Sequence, residues 1–355
     1  MVNIPLKTQL GLSLFQAQRS IQTTIHELNY LFWECTLRCN LSCLHCGSDC
    51  QSSAVTPDMP LADFLKVLDE IRDMVDPHKT IIALTGGEPL LRSDLEICGT
   101  EFYNRGFPWG MVTNGYALSA SRLNALIHAG LRSITVSLDG LSASHEWLRN
   151  KQGSFKQALC AIEQCANTTL VFDVVTCVNQ RNINELEHIR DLLIEKKVKK
   201  WRLFTIFTKG RAAHNEELRI SATQFNGLME FIADTRRIGT IHAGYSCEGF
   251  LGGYEGIVRD NFFFCRAGVN IGSVLANGGI SACPSLRGDY IQGNIYHDSF
   301  IDCLNNRFKV MRNRQWMKTG ICADCKVYKW CNGNGLHLRD EKTGAVMGCN
   351  YRVKE

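Results

Sequence analysis

The chain carries Cys39-Asn-Leu-Ser-Cys43-Leu-His-Cys46, three cysteines at the spacing C-x3-C-x2-C. An apolar run shortly before it, Tyr30-Leu31-Phe32-Trp33, reads as a short buried strand. Three thiolates on a tight loop after a strand can each reach one iron of a cubane cluster. A [4Fe–4S] cluster ordinarily takes four cysteines, so three leave one iron open to another ligand. Cys35 and Cys50 flank the triplet, but only Cys39, Cys43 and Cys46 give three intervening residues and then two. Taken alone, the same three residues suit a zinc knot or free buried thiols equally well.

At 355 residues, 45% apolar and 21% charged, the chain has room for two domains, or for one large α/β domain with an appendage. A formal charge of +4 is too small to indicate nucleic acid. The densest basic run, Lys196, Lys197, Lys199, Lys200 and Arg202, follows a predicted helix and reads as its solvated, dipole-complementing end. Cysteine is the outlier, with 17 residues. The start of the chain does not resemble a signal peptide, and no apolar run approaches a membrane span. An odd, high count in that setting predicts metal thiolates in a reducing cytoplasm rather than disulfides.

Strand and helix patterns alternate along the chain. Leu61, Phe64, Leu65, Leu68, Ile71 and Met74 form a helical stripe opened by Pro60. Buried strands are predicted over 80–84, 109–112, 133–137, 170–178 and 201–207, and helices over 119–129, 155–165, 183–193 and 221–236. With the strand before Cys39 this makes six β-then-α units, which implies an α/β fold with a parallel sheet, open or curled into a partial (β/α)6 barrel. Active sites of such sheets lie at the carboxyl ends of the strands. The cysteine loop, Gly86-Gly87-Glu88-Pro89, Thr113-Asn114-Gly115, Ser137-Leu138-Asp139-Gly140 and Asn179 all fall there. From about residue 238 the helical stripes stop, and glycine, aromatic and cysteine residues increase. The expected division is an extension over 1–28 with a possible amphipathic helix, a barrel over 29–239, and a cysteine-rich region over 240–355.

With these motifs in order, the sequence resembles a radical S-adenosylmethionine (SAM) enzyme with a C-terminal SPASM-type auxiliary-cluster domain. The resemblance runs from about residue 29 to 352. It rests on C-x3-C-x2-C, Gly86-Gly87-Glu88-Pro89 about forty residues later, and Ser137-Leu138-Asp139-Gly140 followed by His145, Arg149 and Gly153-Ser154-Phe155. Gly210-Arg211-Ala212 is similar to an element that follows the last barrel strand in this family. Singly, Gly86-Gly87 and Asp139-Gly140 suit ordinary turns, and His145 with Arg149 a surface pair.

The resemblance implies a [4Fe–4S] cluster on Cys39, Cys43 and Cys46, with SAM chelating the open iron. It implies Gly86, Gly87 and Glu88 at the methionyl amine, Ser137 and Asp139 near the ribose, Val178 or its neighbours at the adenine, and Arg211 at the SAM carboxylate. His45 reads as a packing residue. Cys322, Cys325, Cys331 and Cys349 would form a complete outer auxiliary site, and Cys265 and Cys283 an inner one. The family pattern has a further cysteine where this chain has Gly335, which leaves one or two auxiliary [4Fe–4S] clusters open; Cys247 is a distant substitute. A one-cluster variant on Cys265, Cys283, Cys322 and Cys325 would leave Cys331 and Cys349 unexplained. Pro284 follows Cys283, whereas anaerobic sulfatase-maturating relatives carry an aspartate there.

The activity implied is reductive cleavage of SAM to a 5′-deoxyadenosyl radical that abstracts hydrogen from a ribosomal peptide or protein side chain. Reduced flavodoxin or a ferredoxin-type protein would be the electron donor. Neither nucleic acid nor membrane is an expected partner. A tetrapyrrole side-chain decarboxylase is the small-molecule alternative, and a non-catalytic electron-transfer or metal-binding protein the alternative of another class. The expected 28-residue extension is too short for the winged-helix module that grips leader peptides in many relatives.

Overall fold

The computed structural model describes residues 4–246 and 248–352. Cys247 therefore lies outside the described residues. A helix, α1 (Leu6–Ile25), precedes the alternating units. These run β1 (Tyr30–Thr36), α2 (Leu61–Ile71), β2 (Ile81–Gly86), α3 (Leu95–Asn104), β3 (Trp109–Thr113), α4 (Ala120–His128) and β4 (Leu131–Ser137). Then follow α5 (Ser142–Arg149), α6 (Ser154–Ala166), β5 (Val171–Val178), α7 (Leu186–Glu195), β6 (Lys200–Thr205) and α8 (Ala222–Ile238). Local chemistry sets several boundaries. Pro60 precedes α2, Ser119 Oγ accepts the Arg122 N–H at the start of α4, and Ser221 with Gln224 makes a reciprocal cap on α8.

Strands β1 to β6 are parallel and adjacent in sequence order, as the alternation predicts. The sheet also runs past them. β7 (His242–Tyr245) joins β6 in parallel, and β8 (Ile271–Val274) joins the far side of β1, also in parallel. β9 (Gly279–Ser281) and β10 (Gly293–Asn294) then extend that edge as antiparallel strands. The result is one unclosed ten-stranded sheet of order β10-β9-β8-β1-β2-β3-β4-β5-β6-β7 among the described residues. Sequence periodicity does not reveal the last four strands because they are only two to four residues long.

β1 lies where the strand order changes direction, between β2 and β8, and such switch points open a crevice at the strand ends. The cysteine loop leaves from that crevice. Beneath it Trp33 stacks on Phe64 with ring centroids 4.4 Å apart, and Phe102 meets both rings edge-on. Cys35 points into this packed interior, where its thiol reaches the Thr85 carbonyl. α1 lies on the C-terminal region: Arg19 is buried and donates to the Trp330 carbonyl at 2.6 Å.

Candidate metal and cofactor site

The loop after β1 is tied down from four sides. At its base Thr36 Oγ1 and the Arg38 guanidinium both hold Asp58. Its return strand closes where Cys39 N–H donates to the Gln51 carbonyl at 2.8 Å. The end of β2 grips it through Gly87 N–H to Thr36 O and Glu88 N–H to Arg38 O, each 2.8 Å. Such close approach explains the paired glycines. A Cβ on Gly86 would stand 2.1 Å from the Thr36 carbonyl oxygen, and one on Gly87 2.0 Å from that of Arg38. Gly86 also has φ of +134°, a conformation open to glycine alone at little cost. On the remaining sides Leu44 N–H donates to Leu148 O, and Arg211 reaches back from the segment after β6.

One cavity of about 160 Å³ gathers Cys39, Cys43, Cys46, Gly86, Gly87, Glu88, Ser137 and Arg211. Two expected residues stay outside it. Asp139 is fully buried and ion-paired with Arg149 at 2.5 Å, and Val178 is sealed in the core. The Glu88 carboxylate is also committed within the protein. It accepts from Thr113 Oγ1 at 2.7 Å and from the Asn114 N–H at 2.8 Å, so it fixes the end of β3. Burial raises its pKa. Cys50 lines the same cavity, which the sequence spacing alone did not single out.

Each of the three sulfurs accepts a hydrogen bond. Asn114 Nδ2 approaches Cys39 Sγ at 3.8 Å, Arg149 Nη1 approaches Cys43 Sγ at 3.7 Å, and Cys50 N–H points to Cys46 Sγ at 3.4 Å. Burial pushes the Cys39 thiol up to about 11 and raises Cys43, whereas donation from Cys50 pulls Cys46 down to about 5. Sulfurs that converge on a cavity and each face a donor fit thiolates bound to a metal cluster, and at the buried Cys39 and Cys43 coordination would supply the deprotonation that burial opposes. Asn114 and Arg149 are donors to these sulfurs that sequence spacing missed. Arg149 sits four residues after His145, and only its burial separates it from a surface pair. His45, Asp139 and Cys177 also converge, with ligand atoms within 4.8 Å of one another, but the Arg149 cation already occupies the charge balance there.

A second cavity, of about 200 Å³, adjoins the first and shares Cys46 and Gly86 with it. Its walls come from β1, β2, the segment after β6 and the C-terminal region. Two ion pairs cross those walls, Arg287 with Glu34 and Lys209 with Glu341, and Arg287 also reaches Ser48 Oγ at 2.9 Å. Pro284 is part of the lining.

In the C-terminal region the thiols of Cys322, Cys325, Cys331 and Cys349 lie within one another's fields. Burial raises Cys331 to about 12, and the other three add to it. Arg339 Nη2 approaches Cys322 Sγ at 3.3 Å. Cys265 is buried and accepts N–H groups of Ala267 and Leu336; Cys283 is half-buried after β9. At Gly335 an added Cβ would meet the His337 ring at 2.8 Å, so that imidazole fills the space a side chain would need.

A family profile described as the radical SAM superfamily matches residues 33–193. The AdoMet-dependent heme synthase of Nitratidesulfovibrio vulgaris is 24% identical over 351 residues, covering 91% of this chain and 92% of that protein. The PqqA peptide cyclase of Rhizobium meliloti is 23% identical, covering 83% and 79%. Streptococcus suis SuiB bound to its precursor peptide SuiA superposes with a TM-score of 0.70 at 16% identity, over 95% of this chain and 78% of that one. Among the described residues no helix is long and apolar enough to cross a membrane. Residues 33–193 are a radical SAM domain, of a superfamily whose enzymes use S-adenosylmethionine and a [4Fe–4S] cluster, within a fold similar to that of SuiB and ahead of a cysteine-rich C-terminal region.

Proposed function

We propose that the enzyme modifies a peptide or protein side chain in the cavity beside Cys46, with Cys39, Cys43 and Cys46 as ligands of the SAM-binding cluster. Bound there, cluster and SAM supply hydrogen-atom abstraction, driven by one-electron cleavage of the sulfonium. The chain's own groups do the positioning. Backbone at Gly86 and Gly87 lies beside the cysteine loop and would meet the methionyl amine of bound SAM, Ser137 would meet its ribose, and Arg211, which fixes the loop, would serve its carboxylate. Glu88 contributes by holding Thr113 and Asn114 in place. Cys322, Cys325, Cys331 and Cys349 hold the outer auxiliary cluster, and Cys265 and Cys283 contribute to an inner one. A flavodoxin or ferredoxin-type protein in the cytoplasm supplies the electrons.

The observation that carries the substrate class is the second cavity beside Cys46, crossed by the ion pairs Arg287–Glu34 and Lys209–Glu341, whose charged walls suit a polar peptide segment. The likeness to a PqqA peptide cyclase over 83% of the chain supports it. The second reading, decarboxylation of a tetrapyrrole side chain, is favoured by the likeness to a heme synthase along nearly the whole chain.

The test is anaerobic incubation of the reconstituted, reduced protein with SAM, assayed for 5′-deoxyadenosine. Wild type should form it and the Cys39→Ala/Cys43→Ala/Cys46→Ala variant should not. A short peptide encoded beside the gene should accelerate the reaction and an iron–porphyrin should not; the reverse response would transfer the assignment to tetrapyrrole chemistry. Intact clusters without any cleavage would leave an electron-transfer protein.

A further inference from the structure

Arg149 lines the cysteine cavity and, beneath the loop, forms an ion pair with Asp139, which stays outside the cavity. Asp139 is wholly buried, and Arg149 is 7% exposed. Their charged groups meet at 2.5 Å, while Arg149 Nη1 also points to Cys43 Sγ at 3.7 Å. Neither partner is free to drift. Asp139 Oδ1 accepts the Cys177 N–H at 2.7 Å, its own N–H donates to His145 Nδ1 at 3.0 Å, and Asn182 Nδ2 donates to its carbonyl at 2.8 Å. From the other direction, Leu44 N–H bonds to Leu148 O, which fixes the end of α5 against the cysteine loop one residue from Cys43. Arg149 Nε is buried and has no hydrogen-bond partner, so the guanidinium keeps the ion pair and the sulfur contact at the expense of a third bond.

A buried charge pair contributes little to stability on balance, because desolvation offsets the attraction. A fixed cation beside a ligand sulfur has a different effect. Adding one electron to a cluster increases its negative charge by one. A guanidinium donating to the thiolate favours that reduced form, and low local polarity amplifies the preference. A carboxylate behind the guanidinium acts with the opposite sign and limits the gain.

We propose that Arg149 and Asp139 together set the reduction potential of the SAM-binding cluster, Arg149 raising it through Cys43 and Asp139 moderating the rise. Arg149 is thus a positioning and tuning residue that acts through a ligand sulfur. The inference rests on the assignment of Cys39, Cys43 and Cys46 as cluster ligands.

The test is a potentiometric titration of the full-length reconstituted protein, followed by electron paramagnetic resonance and paired with iron analysis. The relevant signal is the one that changes when SAM is added. Arg149→Gln should make reduction about tenfold less favourable, about 59 mV for a one-electron couple. Arg149→Lys should recover part of the loss. Asp139→Asn should shift the potential upward, opposite to Arg149→Gln, which a purely structural role would not produce. Wild-type potentials in both variants at full iron content would overturn the inference, as would shifts of the same sign, or loss of iron from all three variants. A wild-type protein without any SAM-responsive signal would overturn the functional assignment itself, and this inference with it.

Discussion

Arg211 Nε donates to the Cys43 carbonyl at 2.8 Å, so a residue 168 positions downstream holds the middle of the cysteine loop. The same guanidinium reaches Asp49 at 2.7 Å and the Cys50 carbonyl at 3.0 Å, and the Arg211 N–H donates to Cys46 O. The forked side chain thus spans both ends of the loop, a geometry that lysine does not reproduce. Arg211→Ala removes one of two donors to the Cys43 carbonyl, which keeps the Cys46 N–H, and leaves the buried Cys50 carbonyl without its partner, a cost of about 1–3 kcal/mol, with the loop free to open. We expect iron loss to a chelator to accelerate about tenfold or more, with Arg211→Lys close to Arg211→Ala. The check is the chelation rate followed by the cluster's visible absorbance.

The parallel core was legible because its signals are local: hydrophobic runs at strand length, helical stripes, and turn residues between them. The gathering of Cys39, Cys43 and Cys46 on one loop was legible for the same reason. Partnerships formed by distant residues were not. Nothing near Arg149 in the sequence announces Cys43, 106 residues away, and nothing near Arg287 announces Glu34, 253 residues away. Asp139 shows the converse: its strand-end position suits a ribose, yet the fold turns its carboxylate inward onto Arg149. The change in composition near residue 238 was also legible, but β7 and β8, which extend the same sheet beyond it, are too short to carry a periodic signal.

Acid should remove the stability contributed by the buried histidines. Burial lowers His145 and His337 to about 4 and raises Glu248 to about 7. A histidine held neutral contributes stability that is present above its unfolded pKa and lost as pH falls toward the folded value. A carboxyl held protonated contributes stability below its unfolded pKa that is lost as pH rises through the folded value. Each shift corresponds to roughly 3 kcal/mol. His45 is likewise lowered to about 4, so the histidine contribution to stability should climb between about pH 4 and 6.5, while Glu248, Glu88 and Glu255, all raised by burial, act with the opposite sign. His337→Gln should flatten that climb, and Glu248→Gln should raise the urea midpoint at pH 8 while leaving pH 5 nearly unchanged. Equal slopes in wild type and His337→Gln would remove His337 from the account.

The four outer cysteines give the most direct test of the C-terminal assignment. Cys331 and Cys349 each feel the charges of Cys322 and Cys325, and Arg339 supports Cys322 from behind. A set of four thiolates leaves no open iron, so such a cluster would be fully protein-bound. Arg339 is 1% exposed and also donates to the carbonyls of Gly333, Gly344 and Met317, so the same residue braces the surrounding turns. Cys331→Ala should lower bound iron and sulfide by about four atoms each. The signal that responds to SAM should remain, because Cys39, Cys43 and Cys46 line a separate cavity. If Cys331→Ala keeps its full iron content while Cys265→Ala loses about four atoms, the cluster belongs to the alternative set of Cys265, Cys283, Cys322 and Cys325, and the outer assignment falls.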